Sequence, residues 1–356
     1  ATETLEPEPM PAPIKVVLVG EPPLYYLLLG ADPDFGDLFK VKVDYRPWME
    51  RTAEMEQEYA VFLAGLCRRE SLPPFHASAV ASVIEHGARL AADVGRGLAA
   101  RGRRNDRPFR EVLELISRGV LAFEPTGTRA GQVHGIGLLG LGDLVFGRPI
   151  RVMASAWLGT GGLVDIEREA ELSGPIHSKG FLVVAGYLGR RFARRHPLIV
   201  SATVSFDQLY EEVEGDSASA AELYALLSAI GRVPLRQGVA VTGAVNQDGL
   251  VLPVGGVTEK VEGYFAACRL AGLTGEQGVM LPRRNLDNLT LAADVRAAVA
   301  AGEFHLHAID RIEDGWSVLT GRPAGRPLED GSFPPDSVHA AVAAQLAEWH
   351  EAWGAA

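Results

Sequence analysis

Lysine is scarce in this chain of 356 residues, and its scarcity excludes one class of nucleotide site. Only five of the 34 basic side chains are lysines, at positions 15, 40, 42, 179 and 260. None of them follows a glycine, so the sequence contains no G-x-x-x-x-G-K-[ST] phosphate-binding loop. Arginine stays protonated at working pH, so a reaction that needs a neutral amine as its base must use one of these lysines.

Cysteine is scarcer still, with only Cys67 and Cys268, which lie in different helical patterns. Two such residues provide neither a disulfide framework nor a C-x-x-C pair, and no H-E-x-x-H motif is present. We therefore expect no bound metal and no metal-dependent hydrolysis. A low cysteine content is typical of a reducing cytoplasm, which we expect for this chain.

The sequence also lacks long apolar runs and an excess of basic over acidic residues. No apolar run reaches the roughly 20 residues that a membrane span needs, and residues 1–12 are acidic and proline-rich, unlike a signal peptide. The net charge is −11, which argues against a nucleic-acid surface because phosphate binding needs clustered basic side chains. We expect neither a membrane nor a nucleic acid as a partner.

The apolar pattern predicts an α+β chain. A short apolar run at 14–20 predicts a buried strand, and helical periodicity over 49–118 predicts a small helical domain. A glycine-rich part from residue 119 predicts a twisted antiparallel sheet. The predicted helices are 49–69, 77–100, 109–117, 175–191, 217–230, 257–271, 291–300, 312–319 and 337–353, and the further strands are 120–123, 132–139, 150–155, 199–206, 238–245, 278–281 and 304–308.

The stretch Gly215-Asp216-Ser217-Ala218-Ser219 supports two interpretations. Ser219 and the glutamate three residues later form a capping-box pattern, and Asp216 or Ser217 would serve equally as a helix cap. Alternatively, Ser217 is a nucleophile at a helix start, where unpaired backbone N–H groups can hold an oxyanion. The amides near Asp216 and Ser217 would then be the donors.

Lys260 lies early in a predicted helix and, taken alone, is typical of a surface lysine. Its surroundings are small and apolar, because Val254-Gly255-Gly256-Val257 precedes it and Val261 and Phe265 continue an apolar stripe. Burial in that stripe would lower the pKa of Lys260 and make it a base for the Ser217 proton. Ser217 and Lys260 together suggest a Ser–Lys dyad for acyl transfer.

Two rival catalytic arrangements are open at this point. Ser178 and Lys179 are adjacent, but neighbouring helical residues do not face each other. His177 lies beside them, and a Ser–His–Asp triad among the nine histidines is not excluded by counting. No histidine belongs to a recognised triad motif, and no G-x-S-x-G motif is present.

Three stretches stand out when they are taken together, and they are Phe206-Asp207-Gln208-Leu209-Tyr210, Val213-Glu214-Gly215-Asp216-Ser217-Ala218-Ser219-Ala220 and Gly255-Gly256-Val257-Thr258-Glu259-Lys260-Val261-Glu262-Gly263. In combination they resemble the proteolytic domain of the Lon protease family, in its B-type and C-type branches. Their order and spacing carry the resemblance over residues 119–320. Residues 16–41 resemble the end of a AAA+ ATPase core, and 49–118 its helical lid, where Arg89 takes a place that can hold a nucleotide-sensing arginine.

The resemblance implies an α+β fold in four parts. Residues 1–48 would end a AAA+ core, 49–118 would form the α-helical lid, 119–325 a Lon-type α/β proteolytic domain with mixed twisted sheets, and 326–356 a linker and C-terminal helix. It also implies that the Thr242 hydroxyl helps to hold Lys260, and that subunits form a homo-hexameric ring. We expect no cofactor in this chain, since ATP and Mg²⁺ would act only through an upstream ATPase part.

The expected function is hydrolysis of unfolded polypeptides and peptides by a serine endopeptidase that needs no ATP. Ser217 and Lys260 would be catalytic, with Thr242 and the Asp216 backbone in support. The alternative is a non-catalytic, ring-forming scaffold or lid module of an ATP-dependent protease.

Overall fold

A computed structural model describes residues 15–20, 22–32, 35–43, 52–91, 107–141, 144–194 and 196–355. The chain divides into two compact units, residues 1–84 and 85–356. The four-part division expected from the sequence stays a prediction. No helix in the described ranges is both long and apolar enough to cross a membrane.

The first unit is helical in its described part. Its helices are α1 (Pro22–Ala31), α2 (Phe35–Leu38), α3 (Ala53–Arg69) and the start of α4 (Ala77–Ala91). Thr52 caps α3 by accepting a hydrogen bond from the Met55 N–H at 3.3 Å. Helices predicted at 49–69 and 77–100 are therefore present, although 49–51, 92–100 and the Arg89 side chain lie outside the described residues.

The strand predicted at 14–20 is wrong over its described residues, 15–20, which are irregular. Val17 is 81% exposed and Val19 is 96% exposed. A buried strand needs hydrogen-bonded neighbours, and the first unit contains none among its described residues. The described residues of the first unit therefore offer no strand with which this apolar run could pair.

The second unit is a mixed α/β domain. Its helices are α5 (Arg107–Ser117), α6 (Ile166–Glu169), α7 (Pro175–Phe192), α8 (Ser219–Gly231), α9 (Val257–Ala271), α10 (Ala293–Ala300), α11 (Ile312–Thr320) and α12 (Val338–Gly354). Its strands are β1 (Thr128–Arg129), β2 (Gln132–Leu141), β3 (Leu144–Trp157), β4 (Gly162–Asp165), β5 (Ser201–Asp207), β6 (Leu235–Arg236), β7 (Val239–Val241), β8 (Ala244–Val245), β9 (Val251–Leu252), β10 (Gly278–Pro282) and β11 (His305–Ile309).

Seven strands form one mixed sheet in the order β11-β10-β7-β2-β3-β5-β4. The pair β2–β3 is antiparallel, as the sequence predicted, and the pair β3–β5 is antiparallel as well. The pairs β11–β10, β10–β7, β7–β2 and β5–β4 are parallel, so the sheet is mixed and not purely antiparallel. The short pairs β1–β6 and β8–β9 lie outside it.

Helices cover both faces of this sheet. Side chains alternate along a strand, and in β7 Val239 and Val241 enter one core while Ala240 enters the other. The larger core surrounds α8, whose residues are apolar almost all round and buried, as a central helix requires. The smaller core lies under α9 and α10. The helix that follows Ser217, α8, and the helix that carries Lys260, α9, therefore pack in different cores.

Two strand predictions in this unit need correction. Residues 120–123 form no strand, because the Gln208 side chain accepts from the Ala122 N–H and donates to the Val120 carbonyl, each at 2.7 Å. The strand predicted at 238–245 breaks at Thr242 and Gly243 into β7 and β8. The Gly243 N–H donates to the Ser217 carbonyl at 2.8 Å, so the break connects the sheet to the serine loop.

A close backbone contact holds α9 against β3. A Cβ atom on Gly147 would lie 2.5 Å from the Glu259 carbonyl oxygen, and one on Gly263 would collide with the Gly147 carbonyl. The sequence also suggests such an approach at the Gly255-Gly256 pair before Lys260, because glycine lets another backbone come close. Gly255 instead faces open space, and Gly256 has a positive φ of 64° and lies against Leu138. The approach of α9 to the sheet therefore depends on Gly147 and Gly263.

We expect Gly263→Ala to destabilise the second unit while Gly189→Ala does not. The Gly263 methyl group would meet backbone that cannot move aside, which costs about 1–3 kcal/mol or more. Gly189 is also helical but has no neighbour within 4 Å, so alanine there should gain up to about 1 kcal/mol. Denaturant unfolding of both variants measures the difference. Equal stability of the two variants would contradict the close contact.

Candidate active site

Ser217 lies in the turn between β5 and α8 and is half-buried. The helix begins two residues later than predicted, at Ser219. Gly215 precedes the serine with a φ of 90°, a left-handed value that favours glycine. This glycine lets the chain turn sharply enough to place Ser217 ahead of the helix.

The capping-box interpretation of Ser219 is wrong. The N-cap residue of α8 is Ala218, which has no capping side chain, and the Glu222 N–H donates to the Ala218 carbonyl. Ser219 is the first helical residue, and its hydroxyl donates backwards to the Asp216 carbonyl at 2.8 Å. It also accepts from the Val245 N–H at 3.0 Å. The hydroxyl therefore connects the serine loop to β8.

Lys260 is buried in the first turn of α9, with 2% of its surface exposed. Its Nζ lies 2.8 Å from Ser217 Oγ and 3.1 Å from Thr242 Oγ1. The structure thus brings together Ser217, Lys260 and Thr242 from three separate stretches of sequence. The alternative of a surface lysine is wrong because the side chain has almost no contact with solvent.

Burial lowers the pKa of Lys260 to about 8 from its ordinary value of 10.5. The negative charge of Asp216 opposes this effect and raises the pKa, but burial is the larger cause. Among the described residues Lys260 forms no ion pair, and its polar partners are two neutral hydroxyls. A lysine in this setting has a substantial neutral fraction near neutral pH.

The backbone around Ser217 presents free hydrogen-bond donors. The carbonyls of Asp216, Ser217 and Ala218 accept from the N–H groups of Ser219, Gly243 and Glu222 respectively. The N–H groups of the same three residues have no acceptor among the described residues. Free N–H groups beside a nucleophile can receive an oxyanion, and they include those of Asp216 and Ser217 that the sequence indicated.

The rival arrangements find no support in the structure. Ser178 Oγ lies 2.8 Å from Ser173 Oγ, and Lys179 is exposed. His177 is buried between carboxylates, with Nε2 at 3.4 Å from Asp165 and 3.5 Å from Glu222. In the described ranges no histidine contacts both a serine hydroxyl and a carboxylate. His177 therefore connects α7 to β4 and α8, and no triad is formed.

The described residues offer no site for a metal ion, since no cluster of three or more His, Cys, Asp and Glu side chains has suitable geometry. The site around Ser217 is built from four kinds of group. These are a hydroxyl, an amine of lowered pKa, a supporting hydroxyl and free N–H donors, which together suit acyl transfer.

We expect Lys260→Met to abolish any chemistry at the site and yet to stabilise the protein at pH 7. Below about pH 8 the buried amine must be protonated, and the difference from 10.5 costs roughly 3 kcal/mol. The substitution also removes the hydrogen bonds to Ser217 and Thr242, which costs about 1 kcal/mol each. The free energy of unfolding should therefore rise by about 1 kcal/mol. Thermal unfolding against pH measures it.

The pH dependence identifies the cause of that gain. The unfolded chain binds the Lys260 proton up to its ordinary pKa, so wild-type stability recovers between pH 8 and 10.5 and the advantage of Lys260→Met disappears there. Lys179→Met is the matched control at an exposed lysine and should leave stability unchanged. An advantage of Lys260→Met that did not depend on pH would contradict the lowered pKa.

Two parts of the chain match the models of known families. Residues 212–319 match the family model of the Lon protease (S16) C-terminal proteolytic domain, and residues 1–46 match a LonB-like AAA domain. The first match contains Asp216, Ser217, Thr242 and Lys260. The helical lid predicted between the two stays a prediction.

Individual relatives give the same result. A protein of Escherichia coli (strain K12) that is named as a Lon protease homolog is 40% identical over 208 residues, which is 58% of this chain and 35% of that protein. Its counterpart in Haemophilus influenzae is 39% identical over 56% of this chain and 33% of its own length. An archaeal Lon protease from Archaeoglobus fulgidus is 31% identical over 48% of this chain and 26% of its own. The chain spans about a third of the two bacterial relatives.

Proposed function

The chain belongs to the Lon protease family through its C-terminal proteolytic domain, and we propose that it is a serine endopeptidase with Ser217 as nucleophile and Lys260 as general base. One observation carries the proposal. The Nζ of a lysine that is 2% exposed lies 2.8 Å from the hydroxyl of a serine in a tight turn. Burial lowers the pKa of that lysine, which is what a general base near neutral pH requires.

The first half of the reaction acylates the enzyme. Neutral Lys260 accepts the Ser217 proton while Oγ forms a bond to the peptide carbonyl carbon. The carbonyl electrons move onto oxygen, and the free N–H groups of Ser217 and Asp216 hold the resulting oxyanion. The Lys260 ammonium then donates its proton to the amine nitrogen as the C–N bond breaks, which leaves an ester on Ser217.

The second half releases the product. Lys260, neutral again, accepts a proton from water as the water oxygen attacks the ester carbon. The bond to Ser217 Oγ breaks, and the Lys260 ammonium returns the proton to that oxygen. Thr242 Oγ1 accepts a hydrogen bond from the ammonium at 3.1 Å, which limits the directions that Nζ can take.

We propose unfolded polypeptides and peptides as substrates, because the family acts on protein. No step above uses a nucleotide, and the sequence contains no phosphate-binding loop, so peptide cleavage by this chain should proceed without ATP. Assembly into a homo-hexameric ring is a further proposal that rests on the family. The non-catalytic scaffold is disfavoured because the serine, the buried lysine and the threonine are in contact.

We expect Ser217→Ala and Lys260→Arg each to abolish cleavage of a fluorogenic peptide, measured with the full chain and without nucleotide. Loss of a dyad member typically costs several orders of magnitude in kcat. Arginine keeps the charge of lysine but cannot become neutral. Ser178→Ala and Lys179→Arg are matched controls, which should keep wild-type activity.

Two results would argue against this function. An active Lys260→Arg variant would show that Lys260 is not the general base. A folded wild-type chain that cleaves no peptide would favour the non-catalytic scaffold. Circular dichroism of every variant checks that loss of activity is not loss of fold.

We also expect Asp216→Asn to shift the pH profile of kcat to lower pH. In the wild-type enzyme, activity should rise as Lys260 loses its proton near pH 8. The Asp216 charge raises that pKa, so its removal should lower the midpoint and leave more neutral lysine at pH 7. Glu211→Gln, which removes another exposed charge nearby in sequence, is the control. An unchanged or higher midpoint in Asp216→Asn would show that Lys260 does not set the profile.

A further inference from the structure

The Asp216 carbonyl is held unusually firmly for a group in a turn. It accepts one hydrogen bond from the Ser219 N–H at 3.0 Å and a second from the Ser219 hydroxyl at 2.8 Å. A carbonyl oxygen has two lone pairs, so both are used. Because the peptide unit is planar and trans, the direction of this carbonyl also fixes the direction of the Ser217 N–H.

The Ser219 hydroxyl is itself held from the other side. Its oxygen accepts from the Val245 N–H at 3.0 Å, so its single proton is left for the Asp216 carbonyl. Ser219 is 1% exposed, and water therefore cannot easily replace the hydroxyl if it is removed. The Asp216–Ser217 peptide is thus connected through one side chain to the backbone of β8.

Other contacts hold neighbouring parts of the same turn and do not bond to the Asp216 carbonyl. The Ser217 carbonyl accepts from the Gly243 N–H at 2.8 Å, which fixes the next peptide unit along the chain. Gly180 of α7 packs closely, since a Cβ there would lie 3.1 Å from Asp216 Cβ. Among the described residues, only the backbone N–H and the side chain of Ser219 bond to the Asp216 carbonyl.

We propose that Ser219 is a positioning residue, whose hydroxyl orients the Asp216–Ser217 peptide so that the Ser217 N–H faces the reacting carbonyl oxygen. The inference rests on the proposed function, because it assigns the Ser217 N–H to the oxyanion. It also replaces the helix-cap role that the sequence suggested. Ser219 touches no substrate in this account and acts only through the direction of the peptide.

Ser228 provides a matched control in the same helix. Its hydroxyl has the same pair of bonds, since it donates to the Val233 carbonyl at 2.6 Å and accepts from the Gly131 N–H at 2.8 Å. It is fully buried, as Ser219 is. Ser228 lies near the other end of α8, away from Ser217. Alanine at either position removes two buried backbone hydrogen bonds, and only one position adjoins the oxyanion donors.

The test compares Ser219→Ala and Ser228→Ala in the full chain. Both should lower the melting temperature by similar amounts. Only Ser219→Ala should lower kcat, by about 10- to 100-fold, because loss of a whole oxyanion donor typically costs 10²–10³ and here the donor is misdirected, not removed. KM and the pH midpoint of kcat should stay at wild-type values, since the dyad is intact. Ser219→Cys, which keeps a weaker donor, should fall between wild type and alanine.

Three results would overturn the inference. The first is that Ser219→Ala and Ser228→Ala have the same kcat. The second is a shifted pH midpoint of kcat in Ser219→Ala, which would place the effect on Lys260, and the third is a Ser219→Cys variant that is no more active than Ser219→Ala. If Ser219→Ala does not fold, the cysteine variant decides alone. If the proposed function itself is wrong, the result is different. The wild-type chain then cleaves no peptide, or Ser217→Ala cleaves peptide as well as the wild type does.

Discussion

A buried amine without a charged partner is the constraint on which the site depends. Lys260 is buried in α9, and among the described residues its Nζ bonds only to the hydroxyl oxygens of Ser217 and Thr242. The desolvation that makes its protonated form costly is also what gives the amine a neutral fraction near neutral pH. Gly147 and Gly263 let α9 lie close enough to β3 to maintain that burial. Stability lost at the lysine must be supplied by the two apolar cores.

Much of the second unit could be predicted from sequence because its elements are governed by local patterns. Apolar periodicity and the Gly174-Pro175 start located α7 almost exactly, and the mixed α/β class followed from the alternation of strands and helices. The pairing of Ser217 with Lys260 was a different kind of prediction. It came from the scarcity of lysine and the apolar surroundings of Lys260, together with a family resemblance, since no local pattern states which helix start meets which lysine across 43 residues.

The failures share a cause, which is that each feature is decided by a distant partner. The Gln208 side chain takes the hydrogen bonds that would have made residues 120–123 a strand. Ser219 has the sequence signature of a cap, but its hydroxyl is oriented by the Asp216 carbonyl and by the Val245 N–H of β8. The Gly147–Gly263 contact joins two glycines that look unremarkable alone. Local propensity cannot contain such information.

The bonds between the serine loop and residues 242–245 have a mechanical consequence. Gly243 bonds to the Ser217 carbonyl, Val245 bonds to the Ser219 hydroxyl, and Thr242 stands in the same segment. Ser217, the free N–H groups beside it and the Thr242 hydroxyl are therefore joined through one hydrogen-bonded segment. Lys260 reaches this segment from α9, so the 2.8 Å contact between its Nζ and Ser217 Oγ depends on how α9 packs against β3 at Gly147 and Gly263.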